Sequence, residues 1–241
     1  MEKESPYDKN PTGYTEAITL EKKYVFKPNF LKVLGSVKGK KVLDLACGGG
    51  YYTRLIKENG ALEVIGIDKS KAMLNIAKEK EKKNPLGIKY EVYDILKLPK
   101  INEFDIITGT MLLHYSKTKE ELLQMCKKIY KNLKKGGRFI GLNSNPFFPL
   151  HGNKKYGSEV KGKEPLKEGD EITIILHNKN KLFSFINYFW KKETYEQALK
   201  DTGFLNIKWH KLEISKEGIE NMGKEFWEGY KKGVIIIEAE K

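Results

Sequence analysis

The sequence predicts an α/β fold in which strands and helices alternate, and three observations point to it. Short apolar runs at 41–45, 62–67 and 104–111 are each followed by a helical pattern. The first run passes directly into the small residues Ala46, Cys47, Gly48, Gly49 and Gly50. The second run ends in an acid, Asp68, about twenty residues after Gly48, the interval at which a nucleotide-binding α/β unit places a carboxylate for ribose hydroxyls.

Each element follows in order. Residues 41–45 form the first strand, and Tyr52, Leu55 and Ile56 mark the helix behind the glycine loop, whose glycines tolerate positive φ and leave room for a ligand. The run 62–67 is the second strand, and Lys71 to Leu74 open the next helix. Residues 88–95 read as a third strand reaching Asp94, 104–111 as a fourth and 133–140 as a fifth after a helix over 119–134. A helix at 194–204 ends on Gly203, and strands at 207–214 and 234–239 flank a helix expected over 217–231. On that helix Ile219, Met222, Phe226 and Tyr230 make an apolar stripe that reads as core.

The glycine loop lacks the G-x-G-x-x-G spacing of a dinucleotide site, and Asp44 closes the strand before it. An acid there disfavours a diphosphate and favours a cation, such as an ammonium or a sulfonium. Asp-Leu-Ala-Cys-Gly-Gly-Gly resembles the first motif of the class I S-adenosylmethionine-dependent methyltransferases, with Ala46 where that family most often has its first glycine. Five elements between Lys38 and Asn143 are similar in order to the family, and the remainder follows more loosely. The resemblance implies a seven-stranded, mostly parallel Rossmann-like sheet with helices on both faces, an N-terminal helical segment, and a β-hairpin lid inserted after strand 5. It implies S-adenosyl-L-methionine as cofactor, S-adenosyl-L-homocysteine as product, and methyl transfer by in-line displacement.

Residue by residue, the resemblance places Asp44, Ala46 and Gly48 in the cofactor loop and Asp68 on the ribose. Lys69 and Met73 follow in the second motif, with Met73 near the adenine. Asp94 falls near the adenine amino group with Ile95 beside it, and Thr110 and Met111 lie under the methionine part. Tyr7-Asp8 followed by Tyr14 resembles the N-terminal pattern of several small-molecule methyltransferases, in which the later Tyr lies near the cofactor carboxylate; Tyr7 is then a substrate neighbour. The N-terminal tyrosines, the segment 190–204 and the turn Asn145-Pro146-Phe147-Phe148 are most like the toxoflavin synthase-like group, which methylates small nitrogen heterocycles.

That turn resembles the Asn-Pro-Pro-Tyr tetrad of adenine and glutamine methyltransferases, but it follows the fifth strand and not the fourth, so it reads as a proline-terminated strand with Phe147 at the side of a substrate pocket. His114 and then Tyr115, in the loop after the fourth strand, are the expected general bases. His151 and Tyr156 are further substrate candidates. The division expected is an N-terminal helical cap over 1–37, a cofactor-binding core over 38–145, an inserted lid over 146–192, and completion of the core sheet over 193–241. Within the insert, 146–170 reads as loop, and 171–176 and 182–190 as an apolar hairpin.

Composition sets limits. No apolar run approaches the ~20 residues of a membrane span and the start is unlike a signal peptide, so no membrane partner and a cytoplasmic location are expected. Cys47 and Cys126 lack metal spacing, and His114, His151, His177 and His210 are scattered, so no metal is expected. The net charge of +13 admits a nucleic-acid partner, although lysines spread among acids read as solvated helix faces. The expected partner is a small-molecule acceptor with an oxygen or nitrogen nucleophile, including a heterocycle, with the oligomeric state open. An RNA or tRNA methyltransferase and a non-catalytic cofactor-binding module are the alternatives.

Overall fold

A computed structural model of the chain describes residues 5–16, 19–178 and 181–241. Its centre is a seven-stranded sheet in the order β3-β2-β1-β4-β5-β10-β9. The strands are β1 (Lys41–Leu45), β2 (Glu63–Asp68), β3 (Lys89–Val92), β4 (Phe104–Thr110), β5 (Leu133–Ser144), β9 (Leu205–His210) and β10 (Val234–Glu240). β1 runs parallel to β2 and β4, β2 to β3, and β4 to β5, whereas β10 is antiparallel to both neighbours. Successive β1 residues pack on opposite faces: Val42 joins one apolar cluster, Leu43 and Leu45 the other. A sheet buried on both faces requires apolar residues at both alternating positions, which explains the continuous apolar runs of the sequence.

The helices α4 (Tyr51–Glu58), α5 (Lys71–Lys83), α6 (Lys119–Asn132) and α7 (Lys192–Thr202) connect these strands. Their starts are encoded locally. The Ser70 hydroxyl accepts from the Met73 N–H at 3.1 Å, and the Thr118 hydroxyl from the Glu121 N–H at 3.2 Å, so each satisfies a helix donor that would otherwise be free. Strand order reverses between β1 and β4, and the carboxyl ends of these two strands flank the crevice where open α/β sheets bind ligands.

A second, three-stranded antiparallel sheet, β6-β7-β8, lies in the insert: β6 (Ser158–Lys161), β7 (Glu171–Asn178) and β8 (Lys181–Tyr188). The β7–β8 pair is the expected hairpin, although Lys179 and Asn180 of its turn lie outside the described residues. β6 falls in a stretch read as loop: it pairs Ser158 with Leu176 through Lys161 with Thr173, and its mixed polar sequence hides the strand because an edge needs no apolar alternation.

The ends of the chain refine two further expectations. The helix foreseen over 217–231 stops after α8 (Lys216–Met222), because Gly223 takes φ +80° and turns the chain; a short 3-10 turn, Glu225–Trp227, follows. Phe226 and Tyr230 still pack on the core, together with Met222. The N-terminal segment, expected as a helical cap, is built of short pieces: α1 (Pro6–Lys9), α2 (Pro11–Glu16), a π-helical turn Lys22–Phe26 and α3 (Lys27–Leu34). Pro6, Pro11 and Pro28 break its helical hydrogen bonding into these lengths.

Gly50 separates the glycine loop from α4 with φ +77°, and a Cβ there would lie 2.5 Å from the Tyr90 hydroxyl. Gly39 shares the left-handed backbone, at φ +73°, with open space around it. Gly39→Ala should therefore lose about 1 kcal/mol of stability, the left-handed strain alone, and Gly50→Ala about 1–3 kcal/mol more from the clash. Urea unfolding of the two variants checks this, and equal losses would show that Tyr90 yields at no cost.

Candidate functional site

Asp44 lies fully buried near the carboxyl end of β1. One carboxylate oxygen accepts from the Thr53 hydroxyl of α4 at 2.6 Å and the other from the Thr108 hydroxyl of β4 at 2.8 Å. Burial pushes this carboxyl from the usual 3.8 up to about 6; the two hydroxyls oppose the rise and the charge of Asp68 adds to it.

The loop beyond Asp44 is held against β2. Ala46 adopts φ +53°, a region that glycine enters freely and alanine at a cost of about 1 kcal/mol, and this is the position of the resemblance's missing glycine. The Cys47 N–H donates to the Ile67 carbonyl at 2.9 Å, and the Gly48 N–H to the Asp68 carboxylate at 2.8 Å. The second Asp68 oxygen accepts from the Ser70 N–H at 2.8 Å. Burial raises the Asp68 carboxyl, and these two N–H groups hold it down.

Other residues foreseen from the sequence converge on this loop. A Cβ at Gly48 would meet Met73 Cε at 3.1 Å and Tyr14 Cε1 at 3.9 Å. Burial and the nearby Asp68 charge push the Tyr14 hydroxyl up to about 12. The Tyr93 N–H donates to the Asp68 carbonyl at 3.1 Å, which sets Asp94 beside the end of β2. Asp94 then caps the turn Ile95–Lys97, accepting from the Leu96 N–H at 2.9 Å. Thr110 closes β4, and Met111 follows in the left-handed region at φ +58°. Lys69 sits exposed beside Asp68, a solvated charge next to the crevice.

His114 and Tyr115 occupy a 3-10 turn, Leu113–Tyr115, after β4. Nδ1 of the buried His114 accepts from the Ser144 N–H at 3.1 Å, so the proton of the neutral ring is on Nε2, which has no partner among the described residues. Desolvation lowers the imidazole from 6.5 to about 3, and the ring stays neutral. Tyr115 and Tyr7 join through their hydroxyls, and burial raises both phenols far above their ordinary value. A neutral ring with its free nitrogen protonated donates and does not abstract, which departs from the general base foreseen at His114.

The Tyr7–Tyr115 contact belongs to an aromatic cluster. Phe183 and Phe185, alternate residues of β8, are buried against Tyr7 with ring centroids 5.4 and 5.9 Å away, and Tyr14 lies 5.5 Å from Phe183. Leu182 and Ile186 point outward from the same strand. The second sheet thus covers the loop after β4 through aromatic faces supplied by α1 and α2.

Three foreseen substrate residues lie elsewhere. Phe147 is exposed in a turn whose Asn145 is consumed structurally, accepting from the Phe147 N–H at 3.0 Å and donating to the Lys232 carbonyl at 2.8 Å. His151 and Tyr156 line a different cavity together with Glu21 and Tyr230. Glu21 was not foreseen, because a single acid among Leu20, Lys22 and Lys23 carries the pattern of a solvated helix. Thr53 and Thr108 were missed because a threonine at a strand or helix position reads as ordinary propensity. Among the described residues no group of three or more His, Cys, Asp or Glu stands close enough together to hold a metal ion, and no helix is long and apolar enough to cross a membrane.

The donor set fits an adenosine carrying a cationic amino-acid tail: a glycine cradle that a Cβ would fill, two carboxylates beside it, and a buried methionine at its wall. Comparison with known proteins agrees. The ubiquinone biosynthesis O-methyltransferase of Coxiella burnetii is 32% identical over 142 residues, 56% of this chain and 57% of that protein. The chain spans about half the length of the curated relatives it matches. The structure of an S-adenosylmethionine-dependent methyltransferase from Mesorhizobium loti superposes with a TM-score of 0.66 at 21% identity, covering 94% of this chain and all of that one. A candidate S-adenosylmethionine-dependent methyltransferase from Listeria monocytogenes gives the same TM-score at 27% identity, over 89% of this chain and 96% of that one. Residues 36–203 match the methyltransferase-domain family, from the approach to β1 through the end of α7, and the chain belongs to that family.

Proposed function

We propose that the protein transfers a methyl group from S-adenosylmethionine to a small-molecule acceptor through an oxygen or nitrogen atom. The observation that carries this reading is the contrast across the crevice: two carboxylates, Asp44 and Asp68, on the glycine-loop side, and a neutral aromatic wall of Tyr7, His114, Tyr115 and Phe185 on the other.

In this reading Asp68 holds the ribose hydroxyls, Met73, Asp94 and Ile95 border the adenine, and Tyr14, Asp44, Ala46, Gly48, Thr110 and Met111 surround the amino-acid end. When bound, the cofactor supplies a methyl carbon already activated by its sulfonium. The chain's own residues then have to orient an acceptor and exclude water, which can lower a barrier by several kcal/mol. With Nε2 of His114 protonated and the Tyr115 phenol protonated and joined to that of Tyr7, no side chain on this wall takes a proton from the acceptor. The acceptor is therefore one whose lone pair is free near neutral pH, or whose hydroxyl is acidic enough to ionise unaided. The named O-methyltransferase relatives support oxygen, and the likeness to the toxoflavin synthase group supports a nitrogen heterocycle as the second class. The three-stranded sheet acts as the lid of an insert spanning 146–192.

One observation favours a second reading, a cofactor-binding module without turnover: Phe183 and Phe185 are packed among Tyr7, Tyr14 and Tyr115 over the loop after β4. Transfer of labelled methyl to a panel of phenols and heterocyclic amines separates the two. Cofactor binding with no transfer to any acceptor would leave the module.

Asp68→Ala should weaken S-adenosylhomocysteine binding at least about tenfold by calorimetry, since it removes the ribose contact and frees two loop N–H groups; an unchanged dissociation constant would take Asp68 off the ribose. Asp44 predicts a pH dependence. As pH falls through about 6 the carboxyl gains a proton and its attraction for the cationic cofactor disappears, so affinity should drop below that pH in the wild type and stay level in Asp44→Asn. His114→Ala should lower turnover more than cofactor affinity, and wild-type kcat should show no ionisation near 6.5. A rate limb that vanishes with His114 would restore it as a base.

A further inference from the structure

A cavity of about 210 Å³ opens away from the glycine loop, between the start of the insert (His151, Gly152, Asn153, Tyr156), the loop before β10 (Gly229, Tyr230, Lys231) and Glu21 of the N-terminal segment. Its loop before β10 adjoins the carboxyl end of β5, where Ser144 bonds His114. Asn145, next to the Ser144 that bonds His114, is joined to Gly233 and Lys232 by two hydrogen bonds of 2.8 Å.

Glu21 gives the cavity its character. It is only 6% exposed, and one carboxylate oxygen accepts from the Ser158 hydroxyl at 2.7 Å, the other from the Tyr230 hydroxyl at 3.0 Å. Each oxygen keeps a lone pair, and no basic side chain forms an ion pair with it among the described residues. A buried carboxylate without a counter-ion is expensive for a fold to maintain. Burial duly raises the Glu21 carboxyl, and the two hydroxyls only oppose that rise.

The walls suit a positive guest. Tyr156 and Tyr230 stand edge to face with centroids 4.9 Å apart, and Tyr156 stacks on Trp227. The Tyr156 hydroxyl is spent on the Phe226 and Glu228 carbonyls at 3.2 and 3.3 Å, so this residue offers a guest its aromatic ring and no hydroxyl donor. The cluster already attracts a cation from its own chain: Lys155 Nζ lies 4.6 Å from the Phe226 ring and 5.5 Å from that of Tyr156. On the rim, burial and the nearby Lys231 lower His151, so it stays neutral, and Lys231 itself is exposed to solvent. The deep charge is negative and the positive one is shallow.

We propose that this cavity binds a protonated amine carried by the methyl acceptor, with Glu21 as counter-ion and Tyr156 and Tyr230 as its aromatic walls. The words "methyl acceptor" rest on the proposed function; the amine site does not, and it is tested without turnover. The probes are propylamine, protonated at pH 7.5, and 1-propanol, its neutral equivalent in size. In amide NMR titrations of the full chain, propylamine should give saturable shifts at Gly152, Asn153, Gly229 and Tyr230, with 1-propanol at least tenfold weaker. Glu21→Gln should abolish the difference while S-adenosylhomocysteine still binds as in the wild type. Equal response to both probes, or shifts that survive in Glu21→Gln, would overturn the proposal. Should Glu21→Gln fail to fold, the labelled Glu21 carboxyl of the wild type decides the question. Saturating propylamine should lower its titration midpoint, since a bound cation favours the ionised form, and an unmoved midpoint would refute the site.

Discussion

The shape of the glycine loop depends on two carboxylates set at the ends of adjacent strands. Asp68 takes the N–H groups of Gly48 and Ser70, one on each oxygen, and so fixes the loop after β1 and the start of α5 to the same point. Asp44 takes the hydroxyls of Thr53 and Thr108, and so fixes α4 and β4 to β1. The strand-order reversal between β1 and β4 provides a crevice; these four hydrogen bonds decide what lines it. Apolar residues at either position would leave buried donors unpaired at about 1–3 kcal/mol each.

Asp44 is held at a cost. A carboxyl raised from 3.8 to about 6 is destabilised as an anion by about 3 kcal/mol, a penalty that grows as pH rises from 3.8 to 6 and persists above it. Thr53 and Thr108 reduce that cost without removing it. A buried carboxyl whose ionisation is shifted this far, at the end of a strand beside a crevice, is a mark of a functional position. Nearby aromatic groups carry the opposite logic. Tyr7, Tyr14 and Tyr115 are phenols forced to remain protonated, so they add no negative charge near the glycine loop.

The parts of this arrangement that repeat along the chain were legible in the sequence, and the parts made by long-range contact were not. The parallel strands announced themselves because both faces are buried, and the acids Asp44, Asp68 and Asp94 because each follows an apolar run at or near the carboxyl end of a strand. β6 was missed because an edge strand has one partner and no obligatory alternation, and the end of α8 was misplaced because an apolar stripe continued across Gly223. His114 illustrates a subtler limit. Its position in the loop after β4 was readable, but its tautomer is set by the Ser144 N–H thirty residues away, and only the fold brings the two together. Glu21 gave no signal, since its burial depends on Ser158 and Tyr230 from two distant segments.

The seam between the second sheet and the core has a different physical character from either. From β8, Phe183 and Phe185 present aromatic faces to α1 and α2, while Asn187 donates to the Ser144 hydroxyl at 3.3 Å. On either side of Ser144, Nε2 of His114 and the Asn187 side-chain carbonyl are buried with no partner among the described residues, one a donor and one an acceptor. Unpaired buried polar groups of opposite type along one seam weaken it, because each forfeits a hydrogen bond that water would supply. Opening should therefore begin at this seam, where the second sheet parts from the loop after β4 and both polar groups gain partners, while the carboxylate-pinned glycine loop keeps its form.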